Sequence, residues 1–266
     1  MVCGCGSLDR RRFLGAAAGA AVSLPLAGCD RVAGTFGWLA DILVPESVAA
    51  ELGRASFAEI RQRFPAVRDR SLQNAVATIG ERLVAASASP WPDWEFVVFD
   101  DPLVNAFALP GGKVGVFTGM LSVTANEAQL ATVLGHEIGH VNARHSAQRI
   151  LAENAVGFAL WAAGRALAFG DAPIPPELVS ALGGALADYG VIRPFSRTQE
   201  LQADRLGLRY MAHAGFRPEE AVAFWKRMAA LDQNGTPAFL STHPSSAQRI
   251  EELLESLPSV DSQQAA

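Results

Sequence analysis

The chain has 266 residues and a formal net charge of −5 at pH 7, from 22 Lys and Arg residues against 27 Asp and Glu residues. This acidic balance excludes a nucleic-acid-binding role, because Lys and Arg side chains are what hold the phosphate backbone. The length is enough for one domain with a sizeable core, and the sequence contains no repeat or low-complexity linker that would divide it.

Residues 1–28 are predicted to be a signal peptide that is removed on maturation. The run RRRFL at 10–14 is similar to a twin-arginine export signal, with an ordinary secretory signal as the alternative. The run LAGC at 26–29 resembles the bacterial lipoprotein box, which implies that Cys29 becomes a lipid-modified first residue. The alternative is an incidental cysteine in the signal-peptide core.

This leader predicts a protein anchored by lipid on the periplasmic side of a bacterial envelope membrane, with residues 29–68 as the anchored segment and first helix. Asp30 resembles an inner-membrane retention signal and so favours that membrane. Cys3 and Cys5 fall in the removed segment, so we expect no disulfide.

After the helix expected within residues 29–68, sequence patterns predict one further helix and two strands before residue 120. Residues 69–88 carry apolar side chains at helical spacing, namely Leu72, Val76, Ile79 and Leu83. Residues 95–100 and 113–118 are apolar, β-prone and separated by turn residues, which predicts two strands. Thr124 and Glu127 match a capping box and predict the start of the next helix.

The most informative motif is His136-Glu137-Ile138-Gly139-His140. Side chains four residues apart stand on one face of a helix, so the two imidazoles can bind one zinc ion. Zinc lowers the pKa of its water toward about 7, and Glu137 can take the proton as that water attacks a carbonyl carbon. The motif predicts a zinc peptidase, against the alternative of a helix with two surface histidines.

A catalytic zinc ion needs a third protein ligand and keeps its fourth position for water. Glu200 and Asp204 lie at i, i+4 spacing downstream. We expect Glu200 to complete a site for one zinc ion per chain. Asp204, one turn further along, is placed to accept the second ring N–H of a zinc-bound histidine and fix its tautomer. The alternative is a solvated acidic face of a helix.

Four ordered blocks between residues 105 and 249 resemble the HtpX-like and Oma-type membrane-associated metallopeptidases, family 48 of the metallopeptidases. The blocks are NAFALPGGKVGVFTG from Asn105, LGHEIGHVNARHSAQR from Leu134, SRTQELQAD from Ser196 and STHPSSAQRI from Ser241. The resemblance implies a mostly helical α+β fold of the gluzincin type, with a small mixed β-sheet before the HExxH helix. We predict one catalytic domain over residues 69–257 and a flexible tail over 258–266.

Carried over residue by residue, the resemblance makes Glu137 the general base and implies three zinc ligands, namely His136, His140 and Glu200. In thermolysin-like gluzincins a similar Asn-Ala-Phe lies on the sheet edge. The resemblance therefore implies that an extended substrate peptide pairs with this sheet edge as an additional strand. The residues that would hold it are Asn105, Ala106, Phe107 and Ala108. The alternative is an ordinary buried hairpin.

His243 precedes Pro244, which disfavours a helical conformation and places the imidazole on a loop. If it faces the cleft, it can donate to the developing oxyanion, with Arg249 as a second candidate, or it can cap zinc in a resting state. Simple packing is the remaining alternative. His145, five residues after His140, is predicted to lie on a solvated structural face, and His213 to be a cationic helix end.

Residues 155–189 are apolar but too short and broken to span a membrane. They allow a helical pair in the core, a hairpin that dips into the bilayer, or a lid across the cleft. Helices are predicted downstream near residues 201–213, 218–232 and 245–257.

The predicted function is zinc-dependent endopeptidase hydrolysis, and the resemblance implies quality control of misfolded envelope proteins. A twin-arginine substrate is exported folded, so we also expect a closed resting state imposed by residues 155–189 or by His243. The alternative is a non-catalytic chaperone or assembly factor with a closed, structural four-ligand zinc site. The sequence leaves the oligomeric state open.

Overall fold

The computed structural model describes residues 44–153, 195–232, 236–244 and 247–264. The predictions for the signal peptide, Cys29, Asp30 and residues 155–189 lie outside these residues. Within the described ranges, no helix combines the length and apolar character needed to cross a bilayer.

Two helices open the described chain. Helix α1 (Glu46–Arg63) buries an apolar face that includes Leu52, Phe57 and Ile60. Helix α2 (Arg70–Ser87) begins after Asp69, whose carboxylate accepts the Ser71 and Leu72 amide N–H groups. Of the predicted apolar stripe, Val76, Ile79 and Leu83 are buried and Leu72 is partly buried.

Three strands form a mixed sheet in the order β1-β3-β2. Strand β1 (Glu95–Phe99) pairs in parallel with β3 (Lys113–Phe117), and β2 (Ala106–Leu109) pairs antiparallel with β3. The β2–β3 turn contains Gly111 and Gly112, and both have a positive φ. Residues with a side chain rarely adopt this conformation, so the turn favours glycine. The predicted strands are confirmed, and β2 is an outer strand of the sheet.

The sheet lies between two apolar clusters. One face packs on α1 through an aromatic cluster that comprises Phe57, Phe64, Phe99, Phe107 and Phe117. The other face, with Val98 and Val116, joins the main core formed with α2 and the helices that follow. Burial on both faces holds the sheet in a fixed position beside the zinc-motif helix.

Helices complete the fold after the sheet, as the predicted α+β class requires. They are α3 (Thr118–Val123), α4 (Glu127–Asn142), α5 (His145–Glu153), α6 (Arg197–His213), α7 (Glu219–Asp232), α8 (Ala238–Thr242) and α9 (Ala247–Gln264). The mostly helical architecture with a small mixed sheet before the HExxH helix is confirmed.

The start of α4 differs from the predicted capping box. The N-cap is Asn126, whose side chain accepts the Gln129 amide N–H at 3.0 Å. Thr124 instead ends α3, where its hydroxyl donates to the Leu121 carbonyl at 3.1 Å. Thr124 therefore belongs to the end of the short helix α3, which the sequence pattern did not reveal, and it does not cap α4.

Candidate metal centre

Three donor groups converge where α4 and α6 pack together. His136 and His140 lie one turn apart on α4, and their Nε2 atoms are 3.0 Å apart. The Glu200 carboxylate on α6 lies 3.4 Å from each nitrogen, with Oε2 toward His136 and Oε1 toward His140. Ligands at about 2.0–2.1 Å from a tetrahedral zinc ion stand roughly 3.3 Å apart, so the donor set fits zinc.

Glycine residues let the two helices approach closely enough for these contacts. A Cβ atom on Gly139 would lie 2.9 Å from the Ala203 carbonyl oxygen, and one on Gly207 would lie 3.0 Å from the His136 amide nitrogen. Both neighbours are backbone atoms, which cannot rotate away as a side chain can. The position of Glu200 opposite the histidines therefore depends on small residues in α4 and α6.

Asp204 and Arg249 form hydrogen bonds and ion pairs with the donor residues of the centre. The Nδ1 atom of His136 lies 2.9 Å from Asp204 Oδ1, so a ring N–H there fixes the tautomer that leaves Nε2 free. Arg249 donates from Nε and Nη2 to the Asp204 carboxylate, both at 2.7 Å, and its Nη1 forms an ion pair with Glu200 Oε2 at 2.7 Å. Its guanidinium also lies 3.7 Å from the centre of the Trp225 ring. This places Arg249 against the acids, which favours a positioning role over the predicted oxyanion donor.

The carboxylates of Asp204 and Glu200 stabilise positive charge inside the buried site. Burial acts to lower the pKa of His136, but hydrogen bonds to Asp204 and Glu200 outweigh it and raise the pKa to about 9. Burial acts to raise the pKa of Glu200, but charges on His243 and His136 keep it well below its usual range. Burial lowers the pKa of His140 well below its usual value, which leaves this imidazole neutral. The centre thus stabilises a cation, either a proton on His136 or a divalent ion.

Glu137 lies on the other side of the donor set from Asp204. Its side chain is buried, and Oε1 lies 3.3 Å from His243 Nε2 without a hydrogen bond from any described residue. Burial raises the pKa of this carboxyl, while the charges on His243 and His136 and a backbone hydrogen bond from Ala108 oppose the rise. A buried acceptor with spare capacity is suited to receive a proton from water.

His243 lies inside the site, directly after the short helix α8. Its Nδ1 is 3.2 Å from His136 Nε2 and 3.1 Å from Glu200 Oε1, so its ring is a fourth possible ligand. Two backbone hydrogen bonds hold this loop, from the His243 amide to Phe239 and from the Phe195 amide to Thr242. The predicted loop position before Pro244 is confirmed.

The prediction that His145 lies on a solvated face is wrong. His145 is 1% exposed, and its Nδ1 lies 2.9 Å from His140 Nδ1. The prediction assumed one continuous helix, but α4 ends at Asn142 and Arg144 adopts a positive φ of 56° before α5 begins. This turn brings His145 back toward His140. Burial lowers the pKa of His145 to about 4, so its ring is neutral at pH 7.

Gln202 is another contact that the sequence reasoning missed, since its Oε1 lies 3.3 Å from His145 Nε2. The one available signal was that both residues fall within the blocks that carry the family resemblance. His213 is the exposed last residue of α6, as predicted for a helix end.

The predicted peptide-binding residues lie at the sheet edge beside Glu137. Asn105 is buried. Its side-chain oxygen accepts a hydrogen bond from the Ala106 amide N–H, and its backbone carbonyl accepts one from the Phe117 amide N–H. The Phe107 ring packs into the aromatic cluster against α1, stacked 6.2 Å from Phe99. The Ala108 amide is the group that hydrogen-bonds Glu137 and so connects β2 to the centre.

Comparison with known proteins gives one matching family. Its profile, described as Peptidase family M48, matches residues 70–257. The matched range includes all four candidate ligands and Glu137.

Named relatives agree with this match. The mitochondrial metalloendopeptidase OMA1 of Schizosaccharomyces pombe is 42% identical over 185 residues, which is 69% of this chain and 52% of that protein. The beta-barrel assembly-enhancing protease of Yersinia pestis is 30% identical over 210 residues, which is 77% of this chain and 43% of that protein. Its counterpart from Escherichia coli is 29% identical over 206 residues, covering 75% and 42%. This chain therefore spans about half the length of these relatives or less.

Proposed function

The chain belongs to peptidase family M48, and on that premise we propose that it is a zinc-dependent endopeptidase acting on misfolded or unassembled proteins of the bacterial cell envelope. One observation carries the proposal. Two imidazole nitrogens and the Glu200 carboxylate meet within 3.4 Å of one another, with the Glu137 carboxylate close to the same point. Metalloproteases of this family depend on zinc, and this donor set fits that ion.

The reaction places a separate task on each side chain. Zinc held by His136, His140 and Glu200 would supply a Lewis acid that acidifies water and polarises the scissile carbonyl. Glu137 takes a proton from the attacking water and passes it to the leaving amine. Its raised pKa suits this work, because the carboxyl must both accept and release a proton near neutral pH.

The sheet edge supports an extended peptide as substrate. Strand β2 is the outer strand, and its Ala108 amide already points at Glu137. A peptide that adds to this edge in extended form would run past the general base, with its backbone held by residues 105–108. Only an unfolded segment offers a free backbone of this kind, which supports misfolded or unassembled proteins as substrates.

His243 supports a closed resting state for the same enzyme. Its ring nitrogen lies within hydrogen-bonding distance of both His136 and Glu200, where a fourth ligand would lie. An imidazole in this place excludes water from the centre, and its withdrawal would admit water and substrate. This geometry favours the capping role over the oxyanion role among the two that the sequence left open.

We place the enzyme in the envelope, held by a lipid on Cys29. The support comes from the leader sequence and from relatives whose names refer to β-barrel assembly and to mitochondria. Labelled palmitate should enter the wild-type protein, and Cys29→Ala should prevent its incorporation. Equal labelling of the two proteins would contradict the anchor.

A chaperone or assembly factor with a structural zinc ion is the second candidate. The four-donor cluster favours it, because structural zinc sites are closed by four protein ligands. Glu137 weighs against it, since a structural site gains nothing from a buried carboxylate whose Oε1 atom has no hydrogen-bond partner among the described residues.

One experiment separates the two. The purified, zinc-loaded protein is incubated with casein, with and without a chelator, beside a Glu137→Gln variant and the exposed control Glu251→Gln. The peptidase proposal expects cleavage that stops on chelation, survives in the control and falls by about 10²–10⁴-fold in Glu137→Gln, with zinc content unchanged. Zinc-loaded protein that binds casein without cleaving it, in the wild type and in His243→Ala alike, would favour the assembly factor.

A further inference from the structure

A fourth buried histidine, His145, adjoins the metal centre without belonging to the donor set. His145 Nδ1 lies 2.9 Å from Nδ1 of His140, and His145 Nε2 lies 3.3 Å from Gln202 Oε1. Three side chains from α4, α5 and α6 thus form a chain of hydrogen bonds that runs from the centre toward the protein surface, where Gln202 is exposed.

The direction of these hydrogen bonds follows from the chemistry of the groups. An amide oxygen can only accept, so His145 Nε2 must carry the hydrogen in its contact with Gln202. A neutral His145 then has a bare Nδ1, which accepts from His140 Nδ1–H. This tautomer leaves the lone pair of His140 on Nε2, the atom that faces His136 and Glu200.

The opposite direction would disable the centre. If His145 carried its hydrogen on Nδ1, it would donate to His140 Nδ1, and the His140 hydrogen would move to Nε2. A nitrogen that carries hydrogen has no lone pair for a metal ion. The tautomer of His140 is therefore determined by Gln202, acting through His145.

We propose that His145 and Gln202 are positioning residues that hold His140 in its metal-binding tautomer and so determine zinc affinity. The inference rests on the proposed zinc centre. It also gives a reason for the turn at Arg144 between α4 and α5, since a continuous helix would direct His145 away from His140.

The two histidine ligands are then oriented by different chemistry. His136 is bound by the Asp204 carboxylate, which Arg249 fixes in place. His140 is bound by a neutral imidazole, and the Phe195 ring stacks on it at a centroid distance of 4.0 Å. A neutral partner orients the ring without adding a second charged acid behind the centre.

Zinc affinity of the full-length protein tests this, measured by competition with a chelating indicator in a Glu137→Gln background that prevents self-cleavage. His145→Leu removes the acceptor, and we expect affinity to fall by about 10- to 100-fold. His145→Gln keeps an acceptor oxygen and should recover most of the loss. Gln202→Leu should give an intermediate loss, and the exposed control His213→Leu should bind as the parent does.

Imidazole tautomers give a readout that leaves His145 and Gln202 unchanged. Long-range ¹H–¹⁵N spectra of the zinc-loaded Glu137→Gln protein should show His140 protonated at Nδ1 and His145 protonated at Nε2. A hydrogen on Nδ1 of His145, or unchanged zinc affinity in both His145→Leu and Gln202→Leu, would overturn the inference. Failure of the parent protein to take up zinc would overturn the metal centre and this inference together.

Discussion

The donors of the centre are held in two different ways. His136, His140 and Glu200 project from two long helices that pack closely at Gly139 and Gly207. His243 follows a five-residue helix, and single backbone hydrogen bonds hold its loop. The first group cannot move without separating two helices, whereas His243 can leave by breaking a few contacts. A fixed set of three donors with one histidine on a short loop is the arrangement that the proposed latent metallopeptidase would need.

Removing a ligand from the fixed set should have the largest effect. Glu200→Gln deletes the carboxylate that lies between the two imidazoles and also takes one anionic partner from buried Arg249. We expect zinc affinity to fall by more than the roughly 100-fold typical of supporting residues, with loss of casein cleavage. Glu251→Gln on the exposed face of α9 is the control. A Glu200→Gln protein with wild-type zinc content would contradict the ligand assignment.

Separating the helices should have the next largest effect. Gly207→Leu places a side chain against the His136 backbone, so α6 must move away from α4. A displacement of about 1 Å at the reacting groups can reduce a rate by about 100-fold, and we expect a loss of that order in kcat. Gly207→Ala should give a smaller loss, because its Cβ requires a shift of only a few tenths of an ångström. Equal kcat for the two variants, with folding intact by circular dichroism, would contradict the argument.

Zinc binding should release a proton, which gives the centre a pH dependence. Because the His136 pKa is raised to about 9, the imidazole holds a proton at pH 7, and zinc must displace it. Raising the pH removes this competitor, so affinity should increase by roughly 10-fold per pH unit between pH 7 and 8. Calorimetry in two buffers of different ionisation enthalpy measures the proton count. Asp204→Asn removes a group that raises the pKa and should reduce proton release, and no release in the wild type would contradict the pKa.

Removing the displaceable histidine should have the smallest effect on zinc. His243→Ala leaves the three helix-borne ligands in place, so we expect zinc affinity to fall by only about 10-fold or less. Casein cleavage should rise, because the ring no longer occupies the position where water must enter. A variant that cleaves casein more slowly than wild type, with zinc still bound, would instead support His243 as an oxyanion donor.

Helical spacing predicted that the two histidines share one helix face, and the family resemblance predicted Glu200 as their partner. His136 and His140, like Glu200 and Asp204, are four residues apart, and such pairs share a helix face in any helix. The predicted strands and the apolar stripe of α2 followed from equally local patterns.

Contacts that depend on a chain reversal or on the packing of a distant helix could not be predicted from the sequence. His145 was assigned to the wrong face because the positive φ of Arg144 leaves no signal in a residue pattern. The contact of Arg249 with two acids depends on how α9 packs against α6, which one sequence does not show. The N-cap at Asn126 was hidden by the unrecognised short helix α3.

Because Arg249 lies on α9, the order of synthesis has a consequence for when the metal centre can form. The HExxH helix and both acids of α6 leave the ribosome before α9 does, yet the guanidinium that binds Asp204 and Glu200 belongs to α9. A nascent chain that stops short of residue 249 would have to bury two carboxylates without this cation, which disfavours closure of the core. The complete metal centre would therefore form only after α9 has been translated.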